Sequence, residues 1–430
     1  MTNTNKLISL LNKSYSVFHA VKNIEDELLN EGFTLIDEKK EYILEPGKNY
    51  YVKRNDSSII AFKIPAKLSK ETASFMISAT HNDSPTFKIK PNPIIKSSNL
   101  LLLETEPYGG GIYNTWLDKP LTLAGRIFVK GKNGVERKLF YVDEDLLEIP
   151  NVCIHMNRNI NSGYAYNPAV DMKPILGIDE EGFDFKKYIL GKAGYSSDDE
   201  LLGHDLFLAN REKATLIGKN KELLASGRLD DLSAAYASLL GFIRSEEAES
   251  ISVYASFDNE EVGSLTRQGA NSTFLKETLS RIINALFGDS SMYSSIISRS
   301  MLLSIDNAHA NHPNHPEYSS PTTKVNLNGG IVIKYNANQS YTSDGYSSSV
   351  LKAMMIDKKL SYQEYTNRSD LRGGSTLGNI SNSEVSLVSV DIGLAQLSMH
   401  SSYEIMGKDD IDDLVELTKT YFSIGSKYLY

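Results

Sequence analysis

Apolar side chains recur at helical spacing near the start of the chain, at Phe18, Val21, Ile24 and Leu28 of "SVFHAVKNIEDELLNEGF". A stripe of that period predicts an amphipathic helix, with Ser16 as its N-cap and Gly32 just past its end. From about residue 49 the pattern shortens to runs rich in β-branched and aromatic residues, "YYVKR", "SIIAFKI" and "ASFMISAT", the last leading straight into "HNDSP". Such runs predict buried strands. Between roughly 93 and 205 strict alternation takes over: Leu121, Leu123, Ile127 and Val129 of "LTLAGRIFVKG" share a face, and Asn133-Gly134 marks a hairpin before "KLFYV". The expectation is a β-rich domain, 93–205, inserted into a catalytic domain made of 1–92 and 206–430. After Asp230 helical and strand patterns alternate: "LDDLSAAYASLLGFIRS" helical, "ISVYASF" a strand, "FLKETLSRIINALFG" helical, "MLLSI" a strand. This predicts an α/β fold whose central sheet is mostly parallel and flanked by helices.

The same periodicity places the polar residues. His81 ends one predicted strand, Glu260 and Glu261 follow another, Asp306 a third, and "SLVSVDIGLAQLSM" leads to His400, while Asp230 precedes a helix. In open α/β sheets ligands bind beyond the carboxyl ends of the strands, so these distant residues are expected to meet. Imidazoles mixed with carboxylates suit a catalytic zinc ion, with manganese or cobalt as alternatives, and a pair of ions needs a shared carboxylate. In an extended segment neighbouring side chains point to opposite faces, so one of Glu260 and Glu261 is expected to ligate and the other to serve as general base. Periodicity leaves open which does which.

Composition narrows the partners. The 430 residues carry a formal net charge of −9, and the 45 lysines and arginines are dispersed, which argues against nucleic acid and anionic membranes. Cys153 is the single cysteine, so neither an internal disulfide nor a thiolate metal site is available, and a reducing compartment fits. No segment approaches the roughly 20 apolar residues of a membrane span, and the N-terminal stretch lacks the apolar block of a signal peptide. The expectation is a soluble, cytoplasmic protein.

The stretches "FHAV", "THNDSP", "IPNVCIHMNR", "GRLDDL", "DNEEVGS", "DNAHANHPN", "KYNANQSY", "GSTLG" and "LAQLSMHS" follow one another along nearly the whole chain. This ordered series resembles the M18 metallopeptidases, the aspartyl aminopeptidase and aminopeptidase I family. The resemblance implies a dinuclear metal aminopeptidase acting on peptides with a free N-terminus, assembled as a homo-oligomer, a dodecamer in that family. It also implies that His81 and Asp306 hold one metal ion, that Glu261 and His400 hold the other, and that Asp230 bridges them. Glu260 becomes the general base, Asp83 orients His81, and His155 stands near the active site of a neighbouring subunit. Lys334 and Tyr341 face the substrate, and a Lys334 ammonium without a partner implies a preference for N-terminal Asp or Glu. Asp231 where asparagine is usual, Ser340 where arginine is common, and "MHSSYE" all depart from the family pattern and bear on the substrate more than on the chemistry.

Other readings compete. A histidine after a strand is usually a hydrogen-bonded structural residue, Asp230 and Asp231 are ordinary helix-capping residues, and an acidic pair after a strand is usually a solvated turn. The histidines of "HANHPNH" read as a loop and are assigned no metal. A broader, neutral-preferring aminopeptidase I, a carboxypeptidase or deacylase with the same ligands, and a non-catalytic scaffold are the alternative functions.

Overall fold

The computed structural model describes residues 1–246, 248–371 and 373–429. Its spine is a nine-stranded sheet in the order Thr34–Leu35, Asn49–Arg54, Ser58–Lys63, Ile251–Phe257, Phe75–His81, Met301–Ile305, Val388–Gly393, Ile331–Tyr335, Tyr362–Thr366. The four central strands, from Ile251–Phe257 to Val388–Gly393, all run parallel. Antiparallel partners join them on either side. Along Phe75–His81 the period of two is visible in the packing: Phe75, Ile77 and Ala79 enter one core and Met76 the other. Helix Phe274–Phe287 covers the first face, and Val17–Asn30, Leu229–Arg244 and Asp410–Ile424 cover the second. Two covered faces explain why these strands read as continuous apolar runs.

The expected first helix forms over Val17–Asn30 and buries Phe18, Val21, Ile24 and Leu28. Ser16 sits at its N-cap, but its hydroxyl pairs with His19 Nδ1 at 2.8 Å and caps no helix N–H. A further helix, Asn3–Leu11, precedes it and was not expected. Nine residues are too few to stand alone; it is held by burying Leu7, Leu10 and Leu11 and by contact with Leu229–Arg244.

A second, six-stranded sheet has its own core of Leu121, Leu123, Ile127 and Val129 packed with Phe87, Leu103 and Trp116. Its strands run from Thr86–Ser97 to Leu201–Asn210, so they reach beyond 93–205 at both ends. Pro91 and Pro93 hid the first strand: the pairing register shifts between Ile89 and Ile94, where these prolines cannot donate to the ladder. The predicted hairpin joins Leu121–Gly131 to Gly134–Tyr141.

A small third sheet places Thr215–Ile217, Leu223–Ser226, Glu404–Gly407, Ala395–Leu397 and Ala308–His309 side by side. It draws together the segments just before Asp230, just after Asp306 and on both sides of His400. Among the described residues no helix is long and apolar enough to cross a membrane.

Candidate metal centre

Three parallel strands set the base of the site. Phe257 pairs with His81, and Ser304 with Ala79, so the strands carrying Glu260, His81 and Asp306 end at the same level, with His81 in the middle. Asp230 comes in from the start of Leu229–Arg244, where Asp230 and Asp231 depart from helical geometry, and His400 from the loop after Ala395–Leu397.

His81, 1% exposed, places Nε2 3.3 Å from Asp230 Oδ1 and 3.8 Å from Asp306 Oδ1. His400 places Nε2 3.5 Å from Asp230 Oδ2 and 3.5 Å from Glu261 Oε2. His81, Asp230 and Asp306 thus form one ligand-spaced group and Asp230, Glu261 and His400 a second, with one oxygen of Asp230 directed to each. A third grouping of His81, Glu260 and Glu261 has similar spacing, so proximity alone leaves the division between the glutamates open.

The glutamates do not lie in an extended segment, as the sequence reading supposed. They occupy a 3₁₀ turn, Glu260–Val262, entered through left-handed Asn259 (φ 64°). Asp83 fixes that turn: its Oδ1 accepts from the Glu260 N–H at 3.1 Å and its Oδ2 from the Glu261 N–H at 3.2 Å. Asp83 also lies behind His81, whose Nδ1 is 3.1 Å from the Asp83 carbonyl oxygen and 3.4 Å from Oδ1.

The electrostatics suit a cation. Burial pushes the Glu260 carboxyl up to about 7, helped by Asp306, Asp83 and Asp230 and opposed by His81. Burial, then Asp230, drives Glu261 well above the carboxylate range. Asp231, fully buried, is raised likewise by burial and by Asp306 and Asp230, against the lowering effect of His81. Burial lowers the His400 imidazole, but its contacts with Asp230 and Glu261 outweigh this and lift it to about 10. Asp230 Oδ1 and Glu261 Oε1 are buried and accept no aligned hydrogen bond. Crowded carboxylates, unsatisfied oxygens and two imidazoles form a donor set that fits zinc, whose charge offsets the repulsion.

A cavity of about 130 Å³ opens beside the cluster, lined by Glu260, Asp306, Lys334, Tyr341, Tyr365 and His400 among others. Lys334 does not lack partners, contrary to expectation. Its Nζ donates to the carbonyl oxygens of Asp306 (2.7 Å) and Asn307 (3.2 Å), lies 3.7 Å from Asp306 Oδ2, and sits 5.2 Å from the centre of the Tyr341 ring. Val388–Gly393, parallel to Met301–Ile305 on one side and antiparallel to Ile331–Tyr335 on the other, brings the Asp306–Asn307 backbone near Lys334, a neighbourhood invisible in the local sequence. His155 lies exposed on a turn of the second-sheet region and does not line this cavity.

Three residues escaped the sequence reading. Glu404, 2% exposed, accepts from the Leu229 and Asp230 N–H groups at 2.7 and 3.2 Å through Oε2, and from the His400 N–H at 2.9 Å through Oε1. Gln396 donates to Glu404 Oε1 at 3.0 Å and accepts from Asn307 Nδ2 at 2.7 Å. This buried chain ties the backbones next to Asp306, Asp230 and His400 together. All three stand inside quoted stretches, "DNAHANHPN", "LAQLSMHS" and "MHSSYE", but only as polar residues without an evident partner.

The family model described as aminopeptidase I zinc metalloprotease (M18) matches residues 10–422. A probable M18 family aminopeptidase 2 of Clostridium novyi (strain NT) is 44% identical over 426 residues, covering 98% of each chain. Among solved structures, one described as the Ape4 and Nbr1 complex is similar with a TM-score of 0.95 and 33% identity, covering 99% of this chain and 86% of that one. The S. cerevisiae mApe1 dodecamer is similar with a TM-score of 0.85 and 24% identity, covering 99% of this chain and 97% of that one.

Proposed function

Since the chain belongs to the M18 family of aminopeptidase I zinc metalloproteases, we propose that it removes N-terminal residues from peptides at a centre of two metal ions. The observation that carries this is the pair of ligand-spaced groups sharing Asp230. His81 and Asp306 hold one ion, Glu261 and His400 the other, and Asp230 lies between them. When bound, zinc supplies Lewis acidity toward the scissile carbonyl and makes water more acidic. Glu260 is the general base: its carboxylate, beside His81 of one group and Glu261 of the other, takes a proton from the attacking water and returns it to the leaving amine. Asp83 keeps His81 turned toward the cluster and holds both glutamates by their backbones.

Residues 86–210 form a unit with its own core, inserted into the catalytic α/β domain and used in assembly. The assembly is a homo-oligomer, a dodecamer as in the S. cerevisiae mApe1 structure. In it the exposed His155 reaches a neighbouring subunit's site.

The preference for acidic N-termini is modest. Two of the three Lys334 ammonium protons are engaged by carbonyls, and the third, which a substrate carboxylate would use, already faces Asp306 Oδ2 at 3.7 Å. A second reading, a broader preference for neutral residues, is favoured by Tyr341, Tyr365 and Met399 in the cavity wall. Turnover of aspartyl, glutamyl, leucyl and alanyl anilides by zinc-loaded protein tests both. Cleavage of free-amine substrates together with inertness toward N-acetylated ones supports an aminopeptidase; release of C-terminal residues or hydrolysis of acylated amines rejects it. A leucyl rate far above the aspartyl rate removes the acidic preference and leaves the aminopeptidase reading standing.

A further inference from the structure

Both histidines of the candidate centre present Nε2 to the carboxylates, so something must hold each ring from its Nδ1 side. For His400 the partner is the Gly110 carbonyl oxygen, 3.0 Å from Nδ1. For His81 it is Asp83, whose Oδ2 accepts from the Tyr108 hydroxyl at 2.8 Å. Tyr108 and Gly110 belong to one short stretch, the end of strand Leu100–Tyr108 in the six-stranded sheet. The stretch makes further contacts with the site. The Tyr108 hydroxyl accepts from Asn259 Nδ2 at 2.8 Å, just before the glutamate turn, and the Ile112 N–H donates to the His400 carbonyl at 3.0 Å. Gly109, at φ 76°, comes so close that a Cβ there would lie 3.1 Å from Glu261 Cβ. Tyr108 is anchored in its own sheet, its ring edge-on to Phe207 with centroids 5.5 Å apart.

We propose that residues 108–112 of the second sheet are the outer support of the metal centre, orienting both imidazoles and the glutamate turn from the side away from the ions. Tyr108 is the principal positioning residue. Two residues of the run "YGGGI" are explained by this role: tyrosine at 108 supplies a hydroxyl at full reach, and glycine at 109 lets a left-handed backbone lie against Glu261. Metal affinity therefore depends on where the second sheet sits, which makes the inserted unit part of the active site as well as of the assembly. The inference rests on the metal-centre reading given above.

The test is zinc affinity, measured by chelator competition on the full-length protein, with the metal-free melting temperature recorded beside it. Tyr108→Phe keeps the ring packing and removes only the hydroxyl. It is expected to weaken zinc binding by about tenfold to hundredfold, the usual consequence of losing an outer partner of a metal ligand. Its metal-free melting temperature falls by no more than a few degrees, the cost of one hydroxyl in a chain of this size, and excess zinc restores its turnover with KM unchanged. Two neighbouring variants sharpen the test. Gly110→Ala keeps the carbonyl and puts its Cβ 3.8 Å from His400 Nδ1, an ordinary contact, so affinity is retained; Gly109→Ala strains a left-handed backbone against Glu261, so affinity falls. Wild-type affinity in Tyr108→Phe, a metal-free melting temperature lowered by more than about 10 °C, or equal behaviour of the two alanine variants overturns the proposal. Wild-type protein that binds no zinc instead overturns the metal-centre reading itself.

Discussion

Replacing Lys334 with methionine separates a specificity residue from a structural one. The side chain is 3% exposed, and its ammonium holds two backbone carbonyls and faces Asp306 Oδ2 at 3.7 Å. Methionine has similar length and no donor, so both carbonyls and the carboxylate lose their partner together. A hydrogen bond to a charged group contributes about 1.5 to 3 kcal/mol, which for two carbonyls sums to roughly 3 to 6 kcal/mol. Relief from burying an ammonium offsets part of this, leaving about 2 to 4 kcal/mol of net destabilisation. Because the anchored backbone carries Asp306, kcat/KM is expected to fall at least tenfold for leucyl and aspartyl anilides alike. The aspartyl-to-leucyl ratio falls by a further factor of roughly ten, the low end of what one charged contact contributes, because the ammonium also faces Asp306 Oδ2. Urea unfolding and the paired anilides provide the readings. An unchanged leucyl rate, with stability within about 0.5 kcal/mol of wild type, refutes the assignment of Lys334 as the prop of Asp306.

Chelation is expected to abolish turnover, and added zinc to restore it; elemental analysis of fully active protein that finds no transition metal contradicts this. Glu260→Gln is expected to retain metal and lose roughly 10² to 10⁴ in kcat, whereas Glu261→Gln loses metal; equal metal loss in the two variants would falsify the division of roles. Glu404→Gln leaves one amide oxygen for donors on two sides, so it is expected to weaken zinc binding by about tenfold or more, checked by chelator competition. Burial, then Arg228, lowers the His19 imidazole from 6.5 to about 4, so the fold favours its neutral form. The stability that His19 contributes to the metal-free protein, read as the difference between wild type and His19→Gln, is therefore expected to drop as pH falls from about 6.5 toward about 4, by up to roughly 3 kcal/mol. A wild-type urea profile no steeper in that window than that of His19→Gln contradicts the coupling.

Much of the architecture was legible because it is written at short range. A period of 3.6 or 2 follows from backbone geometry, so helix Val17–Asn30 and the strands Phe75–His81, Ile251–Phe257 and Met301–Ile305 could be read from the spacing of their own apolar residues. The same reading located His81, Glu260, Glu261 and Asp306 at strand ends and so pointed to metal chemistry. It failed where the cause lay outside the segment. Asn3–Leu11 owes its helix to packing, Thr86–Ser97 keeps its strand despite two prolines because neighbouring strands pair with it, and the glutamate pair turns because Asp83 binds both backbone N–H groups. Strand order decided the rest. It set Phe257 beside His81 and brought the Asp306 carbonyl to Lys334, and the packing of the second sheet on the first aimed Tyr108 at Asp83 and Gly110 at His400. A local pattern states which face of a strand is apolar but carries no information about which strand lies next to it, since that choice is made by the packing free energy of the whole chain.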